Sequence, residues 1–252
     1  MLIFDVLKPH FKSLNNTKLT SLAKAEAITC VAYGLRASHL IDIAYIDQDK
    51  ANQLLRALRK LPECRSLVLL QFKDRFTFIC HSERLSQHIK TTLKQPDQFT
   101  FVAVEGKEPR PIEFPNGLVA WIKKLQLSKH TYYSPIVPTC MVALTGWLLD
   151  YPVIYTTHLD TDSSEDELDE WETRTNCLGG QTLNLVQVFL TSQDDSHMLL
   201  SFSYTPGVQP LIEPFKLKME QRLVDAQARS DWLIHYHINM TLGHMKLDRF
   251  AL

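Results

Sequence analysis

Asn176-Cys177-Leu178-Gly179-Gly180 stands just ahead of a strongly apolar strand pattern. A cysteine in a glycine-rich turn can have backbone N–H donors beside it, as a thiolate nucleophile or an anion site needs. On that reading Cys177 is a catalytic candidate, and Asn176, Gly179 and Gly180 are ligand-binding candidates. The plainer alternative is a tight turn. In it Gly179 or Gly180 takes a positive φ, Asn176 bonds the backbone two residues on, and Cys177 packs beneath as an ordinary thiol.

Three further features carry chemistry. His235 and His237 stand two apart in an alternating stretch, so both face one side of a strand and could offer two imidazoles to one metal. No Asp, Glu or further His completes a ligand set, so the pair reads as a wet strand face and no metal is implied. Asp42 interrupts HLIDIAYI on the face shared by Leu40, Ala44 and Ile46. A carboxylate there needs a partner or a shifted pKa, and such groups gather at active sites; otherwise it is a hydrogen-bonded acid near a strand end. The acidic run within 159–173 is either a docking surface for a basic partner or a solvated, mobile loop. Acids three residues after Ser163 and Ser164 make both serines phosphorylation candidates.

These groups must be held by elements legible from periodicity. Helical spacing predicts helices over 18–33 (stopped by Gly34), 51–61 (capped by Asp49), from Ser82 to near Pro96, over 118–125, over the nearly all-apolar 138–149, and from Pro214. Strands are predicted over 39–46, 66–72, 75–80, 99–104, 151–157, 182–190 and 197–204. The two-residue turn Lys73–Asp74 and the turn SQDD make antiparallel hairpins. A last strand is predicted over 231–241, with Trp232, Ile234, Tyr236, Ile238 and Met240 facing inward. Hairpins exclude an all-parallel wound sheet. The fold expected is therefore α+β: a mixed, largely antiparallel sheet with helices on its faces.

The chain has 252 residues, 27 Lys plus Arg against 28 Asp plus Glu, and 45% hydrophobic residues. That balance excludes a nucleic-acid or anionic-membrane reader driven by bulk charge. No linker composition divides the chain, so one domain is expected, with a soft boundary at 105–117. Cys30, Cys64, Cys80, Cys140 and Cys177 show no regular spacing, which argues for free thiols in a reducing compartment, cytoplasm or nucleus. The opening MLIFDVLKPHF lacks the form of a signal peptide, and the longest apolar run, Cys140 to Leu149, is half a bilayer span. No dinucleotide, P-loop, serine-hydrolase or HExxH signature occurs, so no cofactor is implied.

GWLLDYPVIY, followed after an insertion by NCLGGQTLNLVQVFL, resembles an uncharacterised animal family whose human member is the product of open reading frame 74 on chromosome 1. The region 25–45 is similar too. The long acidic insertion and Gly179-Gly180 depart from that pattern. The resemblance implies an intracellular protein and no catalytic residues. The function expected is a protein–protein interaction module acting through the acidic run and an unpaired sheet edge. Its rivals are a hydrolase using Cys177 or Asp42 with His158, His235 or His237, and a small-ligand binder beside 176–180. Convergence of Asp42, Cys177 and a histidine within about 4 Å in one pocket would favour the enzyme.

Overall fold

The computed structural model describes residues 2–23, 28–105, 107–125, 130–157 and 176–248. The helices are α1 (Ile3–Leu7), α2 (Asn16–Ala23), α3 (Ile28–Ala32), α4 (Gln48–Leu58), α5 (Ser82–Lys94), α6 (Asn116–Lys124), α7 (Met141–Leu148) and α8 (Ile212–Gln227). The strands are β1 (Ser38–Leu40), β2 (Leu67–Phe72), β3 (Phe76–His81), β4 (Thr100–Ala103), β5 (Arg110–Ile112), β6 (Thr131–Ser134), β7 (Val153–Thr156), β8 (Thr182–Thr191), β9 (Ser196–Tyr204) and β10 (His237–Lys246). The fold is α+β, and its strands divide among three sheets, ordered β1-β3-β2-β6, β5-β4-β7 and β10-β8-β9.

The first sheet grows from the β2–β3 hairpin, whose register runs from Leu67↔His81 to Phe72↔Phe76. Lys73 takes the left-handed turn position (φ 50). Strand alternation sends Leu67, Leu69 and Ile79 into a cluster with α1, α2 and α4. Val68, Leu70, Phe72, Phe78 and Cys80 point the other way, to Leu118, Trp121, Leu144 and Trp147. Both faces are therefore covered, which explains the uninterrupted apolar sequence.

The second sheet joins β4 to β7 in parallel, Thr100↔Val153 through Ala103↔Thr156. It too has two buried faces: Phe101 and Ile154 meet the α6–α7 side, whereas Val102, Val153 and Tyr155 meet the third sheet. In that third sheet β8 pairs antiparallel with both neighbours, and a bulge between Val188 and Phe189 shifts the β9 register. Val186, Val188 and Leu190 pack with Phe215, Met219 and Leu223 of α8.

Several sequence expectations need correction. The strand expected over 39–46 is only Ser38–Leu40. Its register (Leu40↔Phe78) continued would set Asp42 opposite Phe76, where β3 begins, so the ladder ends for want of a partner. Asp42 is consequently exposed in the following loop and does not sit on an apolar strand face. The helix expected over 18–33 is two helices in its described parts, α2 and α3. Gly34 (φ +74) does stop α3, with the Leu35 N–H donating to the Cys30 carbonyl. Asp47, not Asp49, caps α4 by accepting from the Lys50 N–H (2.8 Å). His81, not Ser82, caps α5. The helix expected over 138–149 starts at Met141, with Pro138 accepting the Met141 N–H in the turn before it.

The tail holds the largest correction. Asp231–Leu233 is a 3-10 turn, and the strand runs His237–Lys246. Trp232 and Ile234 are exposed, Tyr236 and Met240 half-buried, and Leu233 and Ile238 buried. The turn rotates the chain between Leu233 and Tyr236, so the period-two pattern spans two elements rather than one. The turn is held at its end, where the Gln227 side-chain amide donates to the carbonyls of Leu233 (3.1 Å) and Tyr236 (3.0 Å).

Candidate functional site

Residues 176–180 form a tight turn. Asn176 Oδ1 accepts from the Leu178 N–H (3.1 Å), and Gly180 takes φ +73, a conformation that costs other residues roughly 1–2 kcal/mol. Gly180 N–H donates to the Leu247 carbonyl (2.7 Å), tying the turn to the end of β10. Gly179 and Gly180 are both exposed. Burial pushes the half-buried Cys177 thiol up and nearby Glu108 adds to it, the opposite of what a nucleophile needs. His235 and His237 are both exposed, and among the described residues no three His, Cys, Asp or Glu side chains group as a metal site would. His158, Ser163, Ser164 and the acidic run lie outside the described residues.

Concavity lies elsewhere. Helix α7, strand β7 and the third sheet enclose an apolar cavity of about 430 Å³. Leu185 and Ser203, cross-strand partners on β8 and β9, share one face of that sheet and line the cavity. Val142 and Thr145 of α7 and Val153 and Tyr155 of β7 line the opposite side. The few polar points are hydroxyls: Tyr155, hydrogen-bonded to Ser203, together with Thr145 and Ser201.

A second space of about 440 Å³ adjoins it, sharing Leu40, Tyr151 and Ser201 as lining. Here the walls turn polar, with Lys18, Arg36, His39 and Asp42. The Tyr151 ring, packed at 5.9 Å from Phe202, stands on the boundary between the apolar and polar parts. Burial raises the Tyr151 phenol, so it stays neutral. Burial, then the charge of Arg36, pushes His39 down to about 3, so its imidazole is neutral at ordinary pH. Arg36 is 7% exposed and its charge is backed by Asp150. Asp42 thus shares a cavity with a histidine, while Cys177 is not on its lining.

Asp150, directly after the apolar run Cys140 to Leu149, was not among the candidates read from the sequence. It occupies the left-handed position after α7 (φ 64), where Tyr151 N–H donates to the Gly146 carbonyl (3.0 Å). Its carboxylate, 2% exposed, meets Arg222 Nη1 (2.7 Å), Lys218 Nζ (2.7 Å) and His88 Nδ1 (3.3 Å). Burial alone would raise its pKa, but Arg222, Lys218 and His88 outweigh burial and hold the carboxyl well below the usual range. The signal was present: an acid directly after an all-apolar helix, and Lys218 and Arg222 four apart on α8.

Among the described residues no helix is long and apolar enough to cross a membrane. No curated protein and no solved structure matches this chain significantly. A family model does, over residues 10–227, which takes in all three sheets except β10 and every residue of the two adjoining spaces except Met245. The chain therefore belongs to the family described as Domain of unknown function (DUF4504).

Proposed function

We propose that this protein binds a small amphipathic molecule, its apolar body in the α7–β7–β9 cavity and an anionic head beside Lys18 and Arg36. The observation that carries the reading is an apolar cavity of about 430 Å³ that shares Leu40, Tyr151 and Ser201 with a second space lined by Lys18 and Arg36. Protein interiors pack like organic crystals, and apolar space of this size is costly unless something fills it. The volume falls in the range of small-molecule sites, and an apolar lining with a few placed hydroxyls is their usual character. Two cations, Lys18 and Arg36, line this second space, the vestibule, with a single carboxylate, Asp42, among its described lining.

Calorimetric titration with decanoate and with decanol tests this. Decanoate should bind saturably and about tenfold more tightly than decanol, as one charge-assisted contact warrants. Lys18→Met should erase that difference, and Val142→Phe, which fills the cavity, should abolish both. Equal affinity for the two ligands, or binding undiminished by Val142→Phe, would overturn the reading.

A second reading, a protein-interaction module, draws support from β10. It is a ten-residue edge strand with one side unpaired among the described residues and Leu242 67% exposed. The hydrolase alternative draws none from Cys177, whose thiol is raised. The free thiols, four of the five buried, support a reducing compartment, cytoplasm or nucleus. We also take the chain as one folding unit, because the first and second sheets are each shared by two core clusters. Within 105–117, β5 pairs back on β4, which supports no boundary there. The stretch that resembles the animal family of open reading frame 74, GWLLDYPVIY, carries Gly146, Tyr151, Val153 and Tyr155 of the cavity. We propose that the relationship extends to that family and that its cavity is common to both.

A further inference from the structure

We infer that the groove between α5 and α8 is a second, separate binding site, for the phosphate group of a small phosphate ester. A cavity of about 250 Å³ lies there, with no lining residue in common with the apolar cavity. From α5 it takes Arg84, His88 and Thr91, from α8 Lys218 and Arg222, and from the 3-10 turn after α5 Gln98. Spacings of four and three along α5, and of four along α8, set these side chains on the two facing stripes. Among the described residues every lining side chain carries a hydrogen-bond donor, and no carboxylate lines the space.

The charges do not cancel. Arg84 Nη2 pairs with Asp225 (2.7 Å), and Lys218 and Arg222 share Asp150. Three cations thus face the space while two carboxylates stand behind them, leaving one positive charge in excess. The carboxylates and the bond from Arg84 Nε to the Gly34 carbonyl (3.1 Å) also fix the guanidinium groups in place. A site with its cations already oriented spends little ordering them on binding. One donor points to what is recognised. Gln98 Nε2 is buried and has no hydrogen-bond partner among the described residues. A buried donor without an acceptor costs free energy, and the Gln98 amide, turned into the cavity that Gln98 lines, would find one in an anion's oxygen. A tetrahedral dianion with several acceptor oxygens suits a ring of guanidinium, ammonium, amide and hydroxyl donors better than a single carboxylate does.

The test is calorimetric titration with inorganic phosphate and with phenyl phosphate at constant ionic strength, with chloride as the control. Both phosphates should bind saturably, and chloride should give no heat of binding. Tighter binding of phenyl phosphate would identify an ester as the natural form; equal binding would make free phosphate sufficient. Gln98→Leu removes the unpaired donor without breaking any bond, so the melting temperature should hold while phosphate affinity drops about tenfold. Arg84→Gln should weaken it further, and Val142→Phe, in the other cavity, should leave it unchanged. Absence of saturable phosphate binding would overturn the assignment. So would a Gln98→Leu variant that binds phosphate as the native chain does, even if Arg84→Gln fails to fold.

Discussion

The sheets β1-β3-β2-β6 and β10-β8-β9 are built from equally apolar strands yet end in opposite conditions. In the first, residues alternate between two filled clusters, and all six positions of β2 are buried. In the third, one face packs tightly on α8, while Leu185, Ser201 and Ser203 face a space that side chains do not fill. The first sheet is scaffold. The third borders a cavity because its small and hydroxylated residues stop short of α7 and β7. Where a fold spends packing and where it withholds it separates structure from site.

That contrast can be broken by truncation. Phe78 is fully buried, edge-packed on the Phe72 ring within the cluster that takes in α7, so Phe78→Ala should cost roughly 3–5 kcal/mol in a denaturant melt. Val142→Ala, at the wall of the cavity, should cost less than about 1 kcal/mol, since atoms facing open space have few contacts to lose. Similar losses at the two sites would mean that the cavity is filled by the chain itself.

Asp150 joins the two halves, since it ends α7 and receives Lys218 and Arg222 from α8. Asp150→Asn keeps the shape but leaves buried Arg222 without its counter-charge, and roughly 3–5 kcal/mol should be lost. The sign with pH follows from the depressed carboxyl. The native chain keeps this stability above the unfolded carboxylate pKa of about 3.9 and loses it as pH falls below that value. An Asp150→Asn variant as stable as the native chain at neutral pH would remove Asp150 from the account.

His81 gives a smaller, pH-specific effect on the scaffold side. Its ring Nδ1 accepts the Arg84 N–H (3.4 Å) and caps α5, and burial pushes its pKa down to about 4. Between that value and about 6.5 the unfolded chain binds the proton and the folded one does not. His81 should therefore subtract up to about 1.4 kcal/mol per pH unit as pH falls through that window. His81→Asn keeps a capping acceptor that does not titrate, and melts between pH 7 and pH 5 should show a shallower loss. An unchanged slope would show that His81 is not the group responsible. Smaller still, Gly180→Val should cost roughly 1–2 kcal/mol through its positive φ, while Cys177→Ser stays within about 1 kcal/mol.

Legibility followed the same division. The β2–β3 hairpin was readable because both strands are continuous apolar runs joined by two polar residues. The all-apolar α7 was readable as buried, and Asn176 and Gly180 as turn chemistry. The short parallel strand β6 (Thr131–Ser134) and β5 escaped, since three or four residues show no period and their pairing is fixed by distant partners. The tail alternated convincingly and still misled, because a 3-10 turn and a strand together mimic one period. The cavity itself could not be read. It is an absence of side chains between α7, β7 and β9, and no residue type announces what its neighbours fail to fill. Asp42 was singled out for a strand it does not occupy, yet it does line the vestibule.

The most direct measurement is the location of bound decanoate by intermolecular NMR contacts to assigned methyl groups. Contacts are expected from the terminal methyl end to Leu185, Val153 and Met245, and from the carboxylate end to Leu22 and Leu149 beside Arg36. Contacts instead to Leu217 and Val224, the exposed apolar pair on the outside of α8, would show mere surface adsorption and contradict the binding cavity.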